Sequence, residues 1–251
     1  MAKERALLWG YHPVYEALHA RRRRIHTVYL AKGPGAGRRQ AIADAAQRDG
    51  VPVQWVAPEN ITTLVGHSRH QDVAAAVEGY PVCDLEEIIA AGENADTRWV
   101  VLLDQVVDPQ NFGAIVRTAH CAGVPGIVAP KDRSAPPSAA ASKASAGALE
   151  HMRVAYVTNL VATMQTLKER GFWIAGADRE GERCLYDADL QGALALVIGG
   201  EEKGLRPLVK RQCDYMVAIP QTGALGSLNA SAAAAVVIYE AFRQRVWSTK
   251  H

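Results

Sequence analysis

Three stretches of this chain carry glycines and polar residues at spacings that could do chemistry. The first runs Asp108-Pro-Gln-Asn-Phe-Gly113 into a helical pattern, with Asn111 and Gly113 near its start and Arg117 about one turn in. Free N–H groups at a helix start and a planar guanidinium suit a phosphate or a ribose edge. Taken alone, the same residues equally fit a capped helix whose Arg117 meets a surface carboxylate. The second stretch is Val197-Ile-Gly-Gly-Glu-Glu-Lys-Gly-Leu-Arg206. Gly199 and Gly200 let the backbone turn sharply and approach a ligand closely. Glu201 follows at a helix start, where it could accept from ligand hydroxyls or amines; an ordinary strand-to-helix turn explains it as well. The third, Ile219 to Ser231, offers backbone to an adenine-like ring and the side chains of Ser227 and Asn229 to a hydroxyl. Those two residues also make a simple helix cap.

Each stretch follows an apolar run, and the runs define the elements that must position it. Trp99–Leu103, Gly126–Ala129, Val154–Val157, Trp173–Ala177, Leu194–Ile198 and Met216–Ile219 read as buried strands. Helical patterns separate them at about 111–122, 139–148, 160–170, 205–211 and 228–246. Alternation at this spacing predicts a mainly parallel sheet covered on both faces, with ligands at the carboxyl ends of its strands. Upstream, a helix near Gly10-Tyr-His-Pro13, with Pro13 at its first position, precedes strands at 27–31, 51–56 and 73–77 and helices at 37–49 and 59–65. That describes a small α/β unit. The expected boundaries are 1–78 for this unit, 79–96 for a linker and 97–251 for the second unit.

Composition is that of a globular protein, 49% hydrophobic and 22% charged. Cys83, Cys121, Cys184 and Cys213 form no CxxC pair, so neither a zinc site nor a disulfide framework is expected. The first residues lack the apolar core of a secretory signal and no apolar run is long enough to span a bilayer, which implies a cytoplasmic protein with no membrane partner. Charge is uneven. Residues 1–80 hold 11 Lys/Arg against 7 Asp/Glu, and 81–251 hold 17 against 19. A basic first third suits a phosphate-rich partner, although a solvated face would look the same. After Leu103 there is one glycine where a dinucleotide fingerprint needs three, and no phosphate-binding P-loop, G-x-S-x-G elbow or H-E-x-x-H occurs.

Taken together, in this order, the three stretches resemble the motifs of the SpoU (TrmH-like) branch of the SPOUT RNA methyltransferases. The motifs are N-x-G-x-x-x-R-T at Asn111–Thr118, G-x-E-x-x-G at Gly199–Gly204, and I-P followed by S-L-N-x-S at Ile219-Pro220 and Ser227–Ser231. The first unit is similar to the family's RNA-recognition domain through Gly10–Leu18 and His70-Gln-Asp-Val-Ala74, with Asp72 where a glycine is common. The full-length pattern is most similar to bacterial 23S rRNA guanosine-2'-O-methyltransferases.

The resemblance implies an α/β protein: a C-terminal SPOUT domain with a parallel sheet and deep trefoil knot, preceded by a small domain of ribosomal-protein L30e-like fold. It implies S-adenosylmethionine as the methyl donor, 23S rRNA (or tRNA) as acceptor, a homodimer and no metal. Gly199, Ile219 and Leu228 are the expected first cofactor contacts, with Leu103, Gly200, Pro220 and Leu225 behind them. Asn111, Arg117, Glu201, Ser227 and Asn229 are the expected catalytic set. A guanidinium stays protonated, so Arg117 is expected to clamp the target phosphate and stabilise the developing oxyanion, the proton leaving through that phosphate or Glu201. Arg21, Arg22, Arg23 and Arg24, with Arg38 and Arg39, are expected to meet the RNA backbone. A non-catalytic ribosome-assembly factor is the alternative from another class; the acid and the glycine turn have no use in a module that only binds RNA.

Overall fold

The computed structural model of the chain describes residues 5–34, 36–92, 98–200, 204–223 and 226–247. They form two compact units, one comprising residues up to 81 together with 137–151, the other 82–136 together with 152 onward.

The first unit is built on a four-stranded sheet in the order β1 (Arg5–Trp9), β4 (Val73–Glu78), β2 (Ile25–Ala31) and β3 (Val53–Val56). β4 runs antiparallel to both neighbours, and β2 and β3 are parallel. β1 is absent from the reading of the sequence, because a short run behind a charged start gives little periodicity. The helices α1 (Tyr11–Ala20), α2 (Ala36–Arg48) and α3 (Pro58–Val65) complete the unit. Gly10 caps α1, so Pro13 stands third in the helix and not first. Val14, Leu18, Val28, Leu30, Ile42 and Val77 fill the core.

Entry of the chain into β4 is made by a tight turn, His70 to Val73. Gln71 and Asp72 both have positive φ, 54° and 62°, and Val73 N–H donates to His70 O at 3.2 Å. Two consecutive left-handed residues are what a type I′ turn demands, and glycine meets that demand at least cost. Asp72 is held there instead by Arg39, whose Nη1 lies 3.1 Å from its carboxylate.

The stretch 137–151, assigned by its place in the chain to the second unit, groups with the first. Its helix α6 (Ala139–Ala144) packs on α1 and β1. The buried Glu150 accepts from Arg23 Nη2 at 2.8 Å and from Ser142 Oγ at 2.6 Å.

The second unit is a seven-stranded sheet in the order β7 (Arg153–Val157), β6 (Gly126–Pro130), β5 (Trp99–Asp104), β10 (Leu194–Gly199), β8 (Trp173–Ala177), β11 (Tyr215–Ala218) and β9 (Arg183–Cys184). Every pairing is parallel. β5 and β10 are buried almost throughout, which accounts for their unbroken apolar sequences. α5 (Pro109–Cys121), α7 (Leu160–Glu169), α8 (Pro207–Gln212) and α9 (Ala230–Trp247) cover the sheet, α5 packing against α9.

Residues 79–96, expected to be a linker, contain a helix that belongs to this core. α4 (Leu85–Ala91) opens with a capping box between Asp84 and Glu87, and Ile88 is buried against Gly126. A β-carbon at Gly126 would lie 2.7 Å from the Ile88 side chain. The acidic residues that make this stretch look solvated occupy one face of an amphipathic turn. α9 is tied down by polar contacts as well as apolar ones. Gln244 Oε1 accepts from Leu190 N–H at 2.8 Å, and Arg245 donates to Leu190 O and Gly192 O.

Candidate active site

In an all-parallel sheet the carboxyl ends of the strands share one edge, and the three chemical stretches follow β5, β10 and β11. The stretch after β5 becomes α5. Asp108 caps it by accepting from Gln110 and Asn111 N–H at 3.2 and 3.1 Å, and Pro109 takes its first position. Cap and proline together fix where the helix begins, and thereby where Asn111 stands.

The stretch after β10 turns on two glycines that admit no side chain. A β-carbon at Gly199 would come 2.4 Å from the Gly204 carbonyl carbon, and one at Gly200 would come 2.2 Å from Gln105 O. Gln105 itself has φ of 62°. The two loops lie backbone against backbone, and Asp104 fastens them. This fully buried carboxylate at the end of β5 accepts from Arg206 N–H at 2.8 Å and from Arg206 Nε at 2.7 Å, while its carbonyl accepts from Gly200 N–H at 2.9 Å.

The stretch after β11 leads into α9. Asn229 Oδ1 accepts from Ser231 N–H, Ser231 Oγ and Ala232 N–H at 2.9, 2.6 and 3.3 Å. Asn229 Nδ2 donates across to Asn111 Oδ1 at 3.0 Å. First and third stretches are thus joined through the two asparagines that the sequence singles out.

A cleft of about 420 Å³ opens beside this contact. Gly199, Gly200, Ile219, Ser227 and Leu228 all line it, four of them expected cofactor contacts and one an expected catalytic residue. Ile198, Ala177 and Ala230 add apolar wall. Its polar side consists of Gln221 and of Asp178, Arg179, Glu180 and Lys210, with Lys210 Nζ 2.7 Å from Asp178. Sequence reasoning missed this polar group. Its available signal is the charged run Asp178-Arg-Glu180 directly after a buried strand.

Other expected site residues are placed elsewhere. Leu103 is fully buried inside β5 and Pro220 is exposed, and neither lines the cleft. Glu201 and Leu225 lie outside the described residues. Arg117 is exposed on α5 with no carboxylate partner among the described residues, so the surface ion pair open to it in the sequence is not formed there. Six residues along a helix turn it about 120° away from the face of Asn111, and it is not a wall of the cleft. The arginines expected to meet RNA divide. The Arg23 side chain, 8% exposed, is covered on Glu150, and Arg39 is buried on Asp72 and on the carbonyls of Gly33 and Pro34, which corrects both from exposed contacts to framework. Arg21 pairs with Asp49 while staying largely exposed, and Arg22 bonds the Tyr80 hydroxyl. Arg24 and Arg38 are exposed, Arg38 lying over the Tyr11 ring.

The residues fit a nucleoside-bearing cofactor: bare glycine backbone on one wall, aliphatic side chains for a ring, and paired charges at the rim. Among the described residues no group of three or more His, Cys, Asp or Glu could hold a metal ion.

Known proteins resemble this chain over nearly its whole length. The SpoU rRNA methylase family model matches residues 98–239, and the model for RNA 2'-O ribose methyltransferase substrate binding matches 7–83. The 23S rRNA (guanosine-2'-O-)-methyltransferase RlmB of Shewanella oneidensis is 37% identical over 246 residues, covering 97% of this chain and 99% of its own. YacO of Bacillus subtilis, assigned to the TrmH family of tRNA/rRNA methyltransferases, is 36% identical over 98% of both chains. Among solved structures, the SpoU methyltransferase AviRb from Streptomyces viridochromogenes has a TM-score of 0.80 at 26% identity, covering 97% of this chain and 91% of its own. By its sequence and its fold, this chain belongs to the SpoU rRNA methylase family.

Proposed function

We propose that this protein transfers a methyl group from S-adenosylmethionine to the ribose 2'-hydroxyl of a guanosine in the peptidyl-transferase region of 23S ribosomal RNA, acting in the cytoplasm as a homodimer. The observation that carries the reading is a cleft lined by the second and third stretches, to which the first is joined through an asparagine pair. Gly199, Ile219 and Leu228 line it, and the Asn111–Asn229 hydrogen bond adjoins it. Near-full-length similarity to proteins named 23S rRNA (guanosine-2'-O-)-methyltransferase supports the acceptor.

The bound donor supplies a methyl carbon activated by a sulfonium. This chain must supply alignment and charge stabilisation, because a neutral hydroxyl is a weak nucleophile. Asn111, Ser227 and Asn229 orient the ribose and base. Arg117 clamps the phosphate beside the target sugar and stabilises the oxyanion as it forms. The hydroxyl proton passes to that phosphate oxygen or to the Glu201 carboxylate. Its exposure and its separate face on α5 support an Arg117 that reaches the cleft of a second copy, which is why the dimer is part of the proposal. Strand order supports a trefoil knot: β11 lies between β8 and β9, both earlier in the chain. An L30e-like first unit is the remaining finer reading, supported by the substrate-binding match.

A tRNA ribose acceptor is the second reading, because YacO belongs to a family named for both substrates. Methyl transfer from labelled S-adenosylmethionine to unmodified 23S rRNA and to tRNA, with the product nucleotide mapped, decides between them. Label confined to tRNA would overturn the rRNA assignment, and label in neither would overturn both.

A further inference from the structure

At the end of the first unit's sheet where β4 begins, positive charge gathers without a matching acid. Arg69 lies in the loop between α3 and the His70–Val73 turn and is exposed, with no carboxylate partner among the described residues. Lys143, from α6, donates its ammonium to the backbone carbonyl of Arg69 and has no carboxylate partner there either. The ammonium is thereby held against the Arg69 backbone, within reach of the guanidinium's charge. His67 and His70 stand close enough to be felt electrostatically, and the His67 ring meets Trp9 edge-on at 5.0 Å. The nearby acid, Asp72, is already taken by Arg39. Burial, and then the charge of Arg69, hold the Lys143 ammonium below its usual pKa. Like charges set together at a cost, one of them partly desolvated, mark a place where an anion restores balance.

We infer that Arg69 and Lys143 form a clamp for one RNA backbone phosphate, and that α6, although it comes from the methylase half of the sequence, completes the RNA-binding surface of the first unit. The substrate-binding family model ends at residue 83 and so contains Arg69 but not Lys143. The Arg69 carbonyl positions the ammonium, the guanidinium supplies the fork, and phosphate oxygens are the anionic acceptors for both. Electrostatic contacts of this kind strengthen binding to RNA of any sequence and set position without reading bases. The inference rests on the RNA-methylating reading and specifies where the substrate is held.

The test uses the full chain and a 23S rRNA transcript, with affinity measured across a salt series. Arg69→Ala and Lys143→Ala each weaken binding several-fold, and the double variant lowers the slope of log affinity against log salt by about 1. Because both cations meet one phosphate, the two losses are less than additive in the double-variant cycle. Binding of S-adenosylhomocysteine by calorimetry stays unchanged. Where an alanine variant melts early, Arg69→Gln and Lys143→Gln replace it, removing the charge while keeping most of the side chain, and each must still weaken binding. Unchanged affinity and slope in the double variant overturn the clamp; additive losses with a slope change of about 2 overturn the single shared phosphate. Failure of the wild-type chain to methylate any RNA is a different result, and it removes the functional reading and not this site alone.

Discussion

Asn229 donates its amide hydrogen to the side-chain carbonyl of Asn111 at 3.0 Å, across 118 residues of chain. The same Asn229 turns its own carbonyl oxygen back to cap α9. One side chain therefore starts a helix and binds two loops of the cleft together. Its two roles separate by substitution. Asn229→Asp keeps the capping oxygen and loses the donor, so stability stays near wild type while methyl transfer falls by about 10-fold, the equivalent of one neutral hydrogen bond. Asn229→Ala loses both and also costs about 1 kcal/mol of stability. Thermal melts alongside transfer rates read the two effects, and an active Asn229→Asp enzyme would refute the orienting role.

Arg117 offers a planar fork to solvent and to no described acid. A point charge in its place keeps the Coulomb attraction and loses bidentate geometry. Arg117→Lys is expected to lower turnover about 10-fold or more without changing binding of S-adenosylhomocysteine. Near-normal turnover would sink the clamp. Mixed dimers provide a second readout: if Arg117 serves the partner's cleft, an Arg117→Ala chain and a chain with a ruined cofactor site together regain activity that neither has alone.

Much of this was legible in the sequence, for a physical reason. A strand buried on both faces has to be apolar throughout, so β5, β6 and β10 announced themselves, and turn glycines marked where strands ended; β9, two residues with an exposed arginine, gave no such signal. What stayed hidden depended on distant partners. Ile88 reads as part of an acidic helical patch in a linker until Gly126 is found beneath it. Arg23 and Arg39 look like free cations until Glu150 and Asp72 come alongside. The charged rim of the cleft was missed because Asp178 and Lys210 come from different elements and share no motif.

Gly200 faces the carbonyl of Gln105 with no room for a side chain. A methyl group 2.2 Å from a backbone oxygen forces the β10 loop away from the β5 loop. Gly200→Ala is expected to abolish detectable S-adenosylhomocysteine binding in calorimetry, because the displaced loop is a wall of the cleft. The rest of the second unit keeps its core, so far-ultraviolet circular dichroism stays close to wild type. Tight binding by the variant would show that this wall does not hold the cofactor.

Asp72 occupies a left-handed position that favours glycine, and Arg39 compensates. Asp72→Gly removes both the strain and the ion pair, so the two effects oppose and the change in unfolding free energy stays within about 1 kcal/mol. Asp72→Ala leaves the same buried guanidinium without its carboxylate and does not relieve the strain, costing about 1–3 kcal/mol. Denaturant melts of the two variants therefore diverge. Equal losses would mean that the backbone conformation is not what Asp72 is selected to satisfy.

His70 gives the first unit a dependence on pH. Its Nδ1 accepts from Asp72 N–H at 3.0 Å, and its Nε2 lies 2.9 Å from Thr62 Oγ1, both within a buried turn. Burial is the main cause that holds its pKa below the ordinary 6.5, outweighing the attraction of Asp72. The unfolded chain therefore binds a proton at a higher pH than the folded one. Above about 6.5 neither state carries it and nothing is lost; as pH falls below that value, the unfolded state alone gains the proton and stability declines until the folded pKa is passed. Protonated Nδ1 also cannot accept from Asp72, so the turn loses its inner hydrogen bond. Protection factors of the β4 amides, taken against the intrinsic exchange rate at each pH, should fall between pH 7 and pH 5 in the wild type and change less in His70→Asn, whose amide oxygen can take the Asp72 N–H without titrating. Parallel pH profiles for the two proteins would place the acid sensitivity elsewhere.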